Sequence, residues 1–338
     1  PTEGDRLSRP DLAPPGLRQF NVLDLPGHIL EPGDQQPLKA VFIYNHNPVA
    51  VHPRQGDMCA ALASEQLFVV GSDVSMTDSL AYADVILPAS TSLEYGDLYK
   101  AYGHYYLQRS APVLPPLGES LPNTEMFRRL AARFGFEEDC FRDSDEDLMD
   151  QAIAPDCEAL QGLRPSQLPV DAAIDMSATS SPGLLRGLPP ATPSGKIELF
   201  SPTLETASGQ GLPRFKELSD ARGFVLVSPA SERRINSTFG GEADHFDDLK
   251  CQMHPDDAVA LSLTDGEQVR LFNDAGEVLL PLSITDSVRH GTVYVPKGAW
   301  INDSPTGQTI NVLFPGHKAD LAGGACYYDC TVDIESAA

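Results

Sequence analysis

The chain has 338 residues, of which 41% are hydrophobic, so it is long enough for two medium-sized domains with sizeable cores. Its 48 acidic residues outnumber the 24 basic ones, giving a formal net charge of −24. Such a surface repels nucleic-acid phosphates and anionic lipid, so neither is an expected partner, and we attribute the acidity to solubility or salt adaptation. No apolar run approaches the roughly 18 residues that a membrane helix needs, so no membrane insertion is expected.

Residues 1–38 are rich in Pro and Gly, which predicts an extended lead-in. The chain begins with Pro1 rather than Met, and we expect it to be a fragment or a processed form of something longer. Its six cysteines form no C-x-x-C motif. Free thiols are therefore expected, in a reducing, cytoplasmic compartment, with a periplasmic location left open.

Residues 39–154 begin with a strand–helix–strand pattern. Residues 40–44 are a continuous apolar run typical of a strand buried on both faces. Residues 67–70 predict a second strand and residues 83–87 a third. A helix is predicted over residues 53–64. This order predicts a small, doubly wound, Rossmann-like α/β layer with a parallel sheet.

Polar side chains follow the first two strands, with Asn47 after the first and Asp73 and Thr77 after the second. Open α/β sheets bind nucleotides at the carboxyl ends of their strands. Two interpretations stay open: these residues hold ribose, phosphate or purine groups, or they form an ordinary turn at Asn47 and a helix cap at Asp73 and Thr77. Asp84, by contrast, is predicted to accept hydrogen bonds from backbone amides rather than to act as a base.

After residue 154 the composition and the predicted secondary structure change twice. Residues 155–222 are rich in Pro, Gly and Ser and predict a surface connection, with one strand at residues 196–200. Residues 223–338 contain many short strands, a hairpin over residues 267–284 and one helix that begins near His254. This pattern predicts a closed, mostly-β barrel.

An arginine pair, Arg233 and Arg234, stands in a polar, Gly-containing loop of the β region. On a chain with this net charge, two adjacent cations indicate an anionic ligand such as a pyrophosphate, and a solvated loop with local ion pairs is the alternative. His46 and His52 are close in sequence, but without a third spaced ligand they predict no metal site.

Two sets of motifs resemble one known family. Asn47-Pro48, the run Val69–Pro88, and Leu93-Glu94 with Gly96 resemble the main domain of prokaryotic molybdopterin oxidoreductases, the dimethyl sulfoxide reductase superfamily that includes formate dehydrogenases and nitrate reductases. Later motifs are similar to the molybdopterin-dinucleotide-binding domain of these enzymes: Ser228–Ala230, Asn236–Phe239, His254–Ala258, Gly266, Gly276, Gly291–Val293, Trp300, Asn311–Leu313 and Asp320–Tyr328.

The resemblance implies that the Rossmann-like layer is followed by a double-psi β-barrel. The implied cofactor is a bis(molybdopterin guanine dinucleotide) carrying molybdenum or tungsten. By matching positions, Asn47, Asp73 and Thr77 would contact the guanosine of one dinucleotide. The residues implied at the pterin or phosphate part are Asn236, Ser237, Asn311 and Tyr327. Family members often carry Arg near Ala230 and His near Arg234; this chain departs at both, and Arg233 or Arg234 is expected to substitute.

The family transfers an oxygen atom or two electrons between the metal and a small substrate, and uses a redox partner. Its metal ligand and the cysteines of a possible [4Fe-4S] cluster lie upstream of the matched region. We therefore expect the carboxyl-terminal part of such an oxidoreductase, which needs the upstream half of the same enzyme, is inactive alone and has no assignable catalytic residues. The alternatives are a non-catalytic nucleotide-binding or assembly module, and a degraded family member that binds nothing.

Overall fold

The structure is a computed structural model that describes residues 16–177, 189–215, 223–240, 249–304, 306–320 and 323–337. Contacts between Cα atoms divide the chain into two compact units, Pro1–Leu17 with Pro88–Lys216 and Arg18–Leu87 with Glu217–Ala338. This division differs from the predicted segments 1–38, 39–154, 155–222 and 223–338, whose boundaries stay predictions. Parts of the predicted lead-in (residues 1–15) and connection (residues 178–188 and 216–222) lie outside the described residues.

The unit formed by Arg18–Leu87 and Glu217–Ala338 contains a three-stranded sheet in its first segment. Its strands are β1 (Ala40–Tyr44), β2 (Phe68–Asp73) and β3 (Val85–Pro88), in that spatial order, and β1 and β2 run parallel. The three strands lie close to their predicted positions, because apolar and β-branched runs favour strands. The prediction that the first strand is buried on both faces is wrong for the described chain, since Ile43 is buried while Phe42 and Tyr44 are exposed. The predicted parallel sheet is thereby confirmed.

Three helices accompany this sheet: α1 (Leu25–Leu30), α2 (Pro48–Val51) and α3 (Gln55–Leu62). A core cluster includes Ile43 of β1, Met58 of α3 and Val69 of β2. Helix α3 confirms the helix predicted over residues 53–64. Helix α1 lies in the stretch predicted as extended, because Pro26 and Gly27 were interpreted as breakers although proline is favourable in the first turn of a helix.

The same unit contains a closed barrel of six strands in the order β10-β8-β11-β7-β12-β9. The strands are β7 (Phe224–Val227), β8 (Cys251–Met253), β9 (Gln268–Asn273), β10 (Gly276–Ile284), β11 (Thr292–Tyr294) and β12 (Thr331–Ser336). Alternate residues of β10, namely Val278, Leu280 and Leu282, are buried in the core. The predicted barrel is confirmed, as are the β9–β10 hairpin and the helix after His254, α7 (Pro255–Ala260).

The unit formed by Pro1–Leu17 and Pro88–Lys216 has its own antiparallel sheet, β4 (Leu98–Lys100), β5 (Tyr106–Arg109) and β6 (Ile174–Asp175). Its helices are α4 (Asn123–Phe134), α5 (Asp145–Gln151) and α6 (Pro202–Ser208). Helix α5 begins with a capping box in which Ser144 and Asp147 exchange hydrogen bonds. In the described part of the chain, no helix combines the length and the apolar character that crossing a membrane requires.

The strand predicted at residues 196–200 is wrong. These residues form bends and irregular chain, and the side chains of Ile197 and Leu199 are 63% and 80% exposed. Local hydrogen bonds occupy the segment instead, from Thr192 Oγ1 to the Lys196 carbonyl and from the Ser194 amide to the Glu198 carboxylate. A strand needs a neighbouring strand, which sequence alternation cannot supply.

Candidate functional site

An open cavity of about 620 Å³ lies at the carboxyl ends of β1 and β2, within the unit that contains the barrel. The loop after β1, the loop after β2 and two segments of the barrel region line it. The lining residues are Asn45, His46, Asn47, Asp73, Val74, Ser75, Thr77, Ser237, Thr238, Phe239 and Trp300. This is the edge of a parallel sheet at which nucleotides bind.

Asn47 is 4% exposed and lies in the loop that follows β1. Its Oδ1 accepts hydrogen bonds from Ser79 Oγ at 2.6 Å and from the Ser79 amide at 3.3 Å. Since the backbone amide can only donate, these contacts fix the orientation of the side-chain amide. Among the described residues its Nδ2 has no hydrogen-bond partner. The cavity is therefore lined by a residue whose amide donor is buried and has no partner in the described part of the chain.

Asp73 ends β2 and is half-buried, and its Oδ1 accepts from the Val74 amide at 2.7 Å. Burial raises the pKa of its carboxyl, and hydrogen bonds from the Val74 and Ser75 amides lower it in part. Thr77 is buried, and its Oγ1 accepts from the Leu80 amide at 3.2 Å. Thr77 thus binds the first backbone amide of a short 3₁₀ helix, Leu80–Tyr82, and also lines the cavity. A local structural role and the predicted ligand role are therefore compatible.

The barrel side of the cavity is a strained loop. Asn236 and Phe239 have positive φ angles of 52° and 62°, a conformation that non-glycine residues adopt at a cost and that often marks functional sites. A Cβ on Gly298, whose φ is +99°, would stand 1.9 Å from the Asn236 carbonyl oxygen. Trp300 Nε1 donates to the Ser237 carbonyl at 2.9 Å. The missing side chain of Gly298 therefore leaves room for the Asn236 carbonyl, and the Trp300 indole holds the loop in place through its hydrogen bond.

Four predicted ligands do not line the cavity: Arg234, Asn236, Asn311 and Tyr327. Arg234 is fully buried and Asn236 is exposed. Asn311 Nδ2 donates to the Ala50 carbonyl, and Tyr327 Oη donates to the Val51 carbonyl, each at 2.5 Å. These two side chains hold α2 in place, and their predicted contacts with pterin or phosphate stay predictions. The cavity brings together the other four predicted residues, Asn47, Asp73, Thr77 and Ser237.

Sequence reasoning assigned no ligand role to Phe239 or Trp300, whose rings lie in the cavity wall. Aromatic faces stack on nucleotide bases with little regard to base identity. Both residues belong to motifs that carried the family resemblance, but the long stretch of sequence between them concealed that they line one cavity. The sequence offered one signal for Trp300 as a cavity residue, namely that it is the single tryptophan of the chain.

His46 was also missed as a cavity residue. Its Nε2 lies 2.8 Å from Nε2 of His52, so the two imidazoles bind each other. Desolvation lowers the pKa of His46, and burial together with the nearby His46 lowers the pKa of His52 to about 4. Within the described residues, no group of three or more His, Cys, Asp or Glu side chains is placed to hold a metal ion.

Comparison with known proteins matches two family models to this chain in order. Residues 29–133 match "Molybdopterin oxidoreductase", and residues 224–331 match "Molydopterin dinucleotide binding domain". All residues that line the cavity fall within these two matches.

The chain is 35% identical over 336 residues to the probable oxidoreductase YoaE of Bacillus subtilis (strain 168), covering 97% of this chain and 48% of that protein. It is 27% identical over 343 residues to trimethylamine-N-oxide reductase of Haemophilus influenzae, covering 88% of this chain and 41% of that protein. The chain therefore spans less than half of the length of these two curated relatives.

A solved structure, acetylene hydratase from Pelobacter acetylenicus, superimposes with a TM-score of 0.75 at 21% identity, covering 93% of this chain and 46% of that chain. At that identity the likeness shows the fold alone. With both family models matched in order and a relative at 35% identity over nearly the whole of this chain, the chain belongs to the molybdopterin oxidoreductase family.

Proposed function

We propose that this chain holds the dinucleotide arms of a bis(molybdopterin guanine dinucleotide) cofactor, with molybdenum or tungsten, in an oxidoreductase. The observation that carries this proposal is the cavity at the ends of β1 and β2, where Asn47, Asp73, Thr77 and Ser237 meet. The parallel sheet and the six-stranded barrel support the finer expectation of a Rossmann-like layer and a double-psi barrel.

The residues in the cavity fit a guanine nucleotide. Asn47 offers a buried donor without a partner among the described residues. The Asp73 carboxylate matches the adjacent imino and amino donors of guanine, whereas adenine presents a ring acceptor at the corresponding position. The rings of Phe239 and Trp300 suit the flat face of a base. The cavity thus combines a hydrogen-bond acceptor, a donor and two aromatic rings for stacking. This combination suits a purine rather than a metal ion.

The chain's own residues would bind and orient the cofactor, while the bound cofactor supplies the oxygen-atom or two-electron transfer. We assign Asn47, Asp73 and Thr77 to the guanosine part, and Arg234, Asn236, Ser237, Asn311 and Tyr327 to the pterin or phosphate part. The metal ligand, any [4Fe-4S] cluster and the contact with a redox partner belong, in this proposal, to an upstream half of the same enzyme.

The substrate class in this proposal is a small molecule. Relatives that cover most of this chain are named trimethylamine-N-oxide reductase and dimethyl sulfoxide/trimethylamine N-oxide reductase. Those names favour an oxygen-atom acceptor or donor of similar size for this protein. Fold alone does not select among such substrates, so the assignment rests on the relatives and not on the cavity.

Cofactor analysis of the protein purified from its own host tests the proposal. Acid release should yield guanine nucleotide, and elemental analysis should find molybdenum or tungsten in the same fractions. Nucleotide without metal would support the alternative of a nucleotide-binding or assembly module. The absence of both from a folded preparation would contradict the proposal and favour a family member that binds nothing.

A further inference from the structure

The His46–His52 pair has a geometry that permits only certain protonation states. A separation of 2.8 Å between the two Nε2 atoms requires one donor and one acceptor. The neutral pair and the singly protonated pair can both form this hydrogen bond, and the doubly protonated pair cannot. His46 lines the cavity while His52 closes the end of α2, so a ligand in the cavity meets the pair through His46.

His46 is also the cavity residue that can become a cation. Among the described residues that line the cavity, Asp73 is the acid, and the others apart from His46 do not ionise near neutral pH. Within the pair, His46 faces His52 from the end of α2, and Asp73 from the end of β2 lines the same cavity. The neutral side chains of Ser237, Thr238 and Trp300 face the cavity from the barrel region. A polyanion entering a cavity with one carboxylate, on a chain of net charge −24, needs a local positive charge.

We propose that His46, held by His52, is a further residue that binds the phosphate-bearing part of the nucleotide, and that the pair takes up one proton when the anion binds. This inference rests on the proposed function of the same cavity and adds a specificity residue to it. With its Nε2 occupied by His52, His46 has Nδ1 left to donate to a phosphate oxygen, and the bond to His52 keeps the ring in place.

The pH dependence of anion affinity follows from the pKa of the histidine pair in the free and in the ligand-bound protein. Desolvation lowers the pKa of both histidines in the free protein, so the pair is neutral at neutral pH. A bound polyanion raises the pKa of the pair. Affinity for the anion should therefore increase as the pH falls from the pKa of the bound state to that of the free state, by up to about tenfold per pH unit for one proton.

The test compares guanosine diphosphate mannose with guanosine on the 338-residue chain. The pyrophosphate of the first ligand is doubly esterified, so its charge is constant over about pH 5 to 8, where histidine titrates. Guanosine presents the same base without charge. Calorimetry in buffers of different ionisation enthalpy measures proton uptake, and circular dichroism verifies that each variant is folded.

The variant His46→Gln keeps a polar side chain that cannot titrate, and His317→Gln is the matched control, because His317 is exposed and does not line the cavity. We expect an uptake of about one proton with the sugar nucleotide in the wild type and in His317→Gln, and none in His46→Gln. Guanosine should bind without proton uptake in all three proteins.

Two outcomes separate this inference from the proposed function. If the sugar nucleotide binds the wild type without proton uptake, or if His46→Gln retains the uptake, the role of His46 is wrong while the nucleotide site stands. If neither ligand binds the folded wild type at any pH, the nucleotide site itself is wrong, and the inference falls with it.

Discussion

At the level of a single residue, Asp73 has a proposed role in binding, and burial of its ionised carboxylate lowers the stability of the fold. Its pKa is raised in the folded protein mainly by burial, so its ionised form is less favourable there than in the unfolded chain. The sign follows from proton linkage: an acid with a raised folded pKa makes the free energy of unfolding fall as the pH rises through the carboxyl range. Such a cost is expected where function selects the residue.

The variant Asp73→Asn should therefore unfold at an equal or higher temperature than the wild type at neutral pH, and the difference should disappear in acid. The amide retains the Oδ1 acceptor for the Val74 amide. Thermal unfolding at the two pH values measures this. Asp57→Asn is the control for losing a partly exposed carboxylate, here one paired with Arg54. A neutral-pH destabilisation specific to Asp73→Asn would contradict the account.

Asn47 and Ser72 make a contrasting pair of buried polar residues. Asn47→Ala removes the acceptor for Ser79 and leaves a buried hydroxyl and amide poorly satisfied, so we expect a loss of about 1–3 kcal/mol in the free energy of unfolding. Ser72 Oγ has no partner among the described residues, so Ser72→Ala should be neutral or slightly stabilising. Denaturant unfolding measures both, and equal losses would refute this assignment.

Sequence reasoning succeeded where the type of residue and its place in a strand predict its role, as for a carboxylate that must find donors when buried. Asp84 was predicted to accept from backbone amides, and its Oδ2 accepts from the Val69 amide at 2.7 Å. The His46–His52 hydrogen bond was not predicted, because it depends on how the chain turns through α2. The contacts of Asn311 and Tyr327 with the α2 carbonyls were hidden for a similar reason, since the partners are 261 and 276 positions apart in sequence.

At the level of elements, periodicity predicted the strands and helices that have a clear apolar pattern. Strands β1, β2 and β3, helix α3 and the β9–β10 hairpin follow from it. Helix α1 was missed because its proline and glycine resemble a loop, and the strand at residues 196–200 failed because it found no pairing partner. The loop at residues 235–239 shows its importance only in three dimensions, through its backbone strain.

Gly298 tests the importance of that loop. Gly298→Ala adds a Cβ that would collide with the Asn236 carbonyl, and it also strains a positive φ angle. Gly266 has a positive φ as well, but an added Cβ there would meet no atom within 4 Å, so Gly266→Ala isolates the conformational cost. We expect Gly266→Ala to cost about 1 kcal/mol and Gly298→Ala clearly more, with altered Trp300 fluorescence only in the latter. Equal costs with unchanged fluorescence would contradict the described loop.

At the level of the whole molecule, one compact unit joins chain segments that are far apart in sequence. Arg18–Leu87 and Glu217–Ala338 form it, and the bond between Gln55 Nε2 and Thr309 Oγ1 connects them at 2.9 Å. The family resemblance and the composition predicted a sheet layer and a barrel, but a linear reading of the chain assigns them to separate segments. Contacts between distant segments are decided by packing, which periodicity does not report.

The barrel core should carry much of this unit's stability. Leu271 is fully buried in β9, whereas Leu279 of β10 is only partly buried. We expect Leu271→Ala to lower the free energy of unfolding by about 2–5 kcal/mol and Leu279→Ala by less. Because the sheet and barrel share one unit, amide hydrogen exchange of β2 and Trp300 fluorescence should report the same transition for Leu271→Ala. Two separate transitions would contradict the cooperative unit.

The central claim is that the cavity at the ends of β1 and β2 binds guanine nucleotide. The chain's single tryptophan, Trp300, lines this cavity, so its fluorescence is expected to change when the cavity is occupied. Titration of tryptophan fluorescence with guanosine diphosphate should give a saturable change in the wild type, a much weaker one with adenosine diphosphate, and a loss of affinity of about tenfold or more in Asp73→Asn. No saturable change in the folded wild type, or equal titrations for the wild type and Asp73→Asn, would contradict the account.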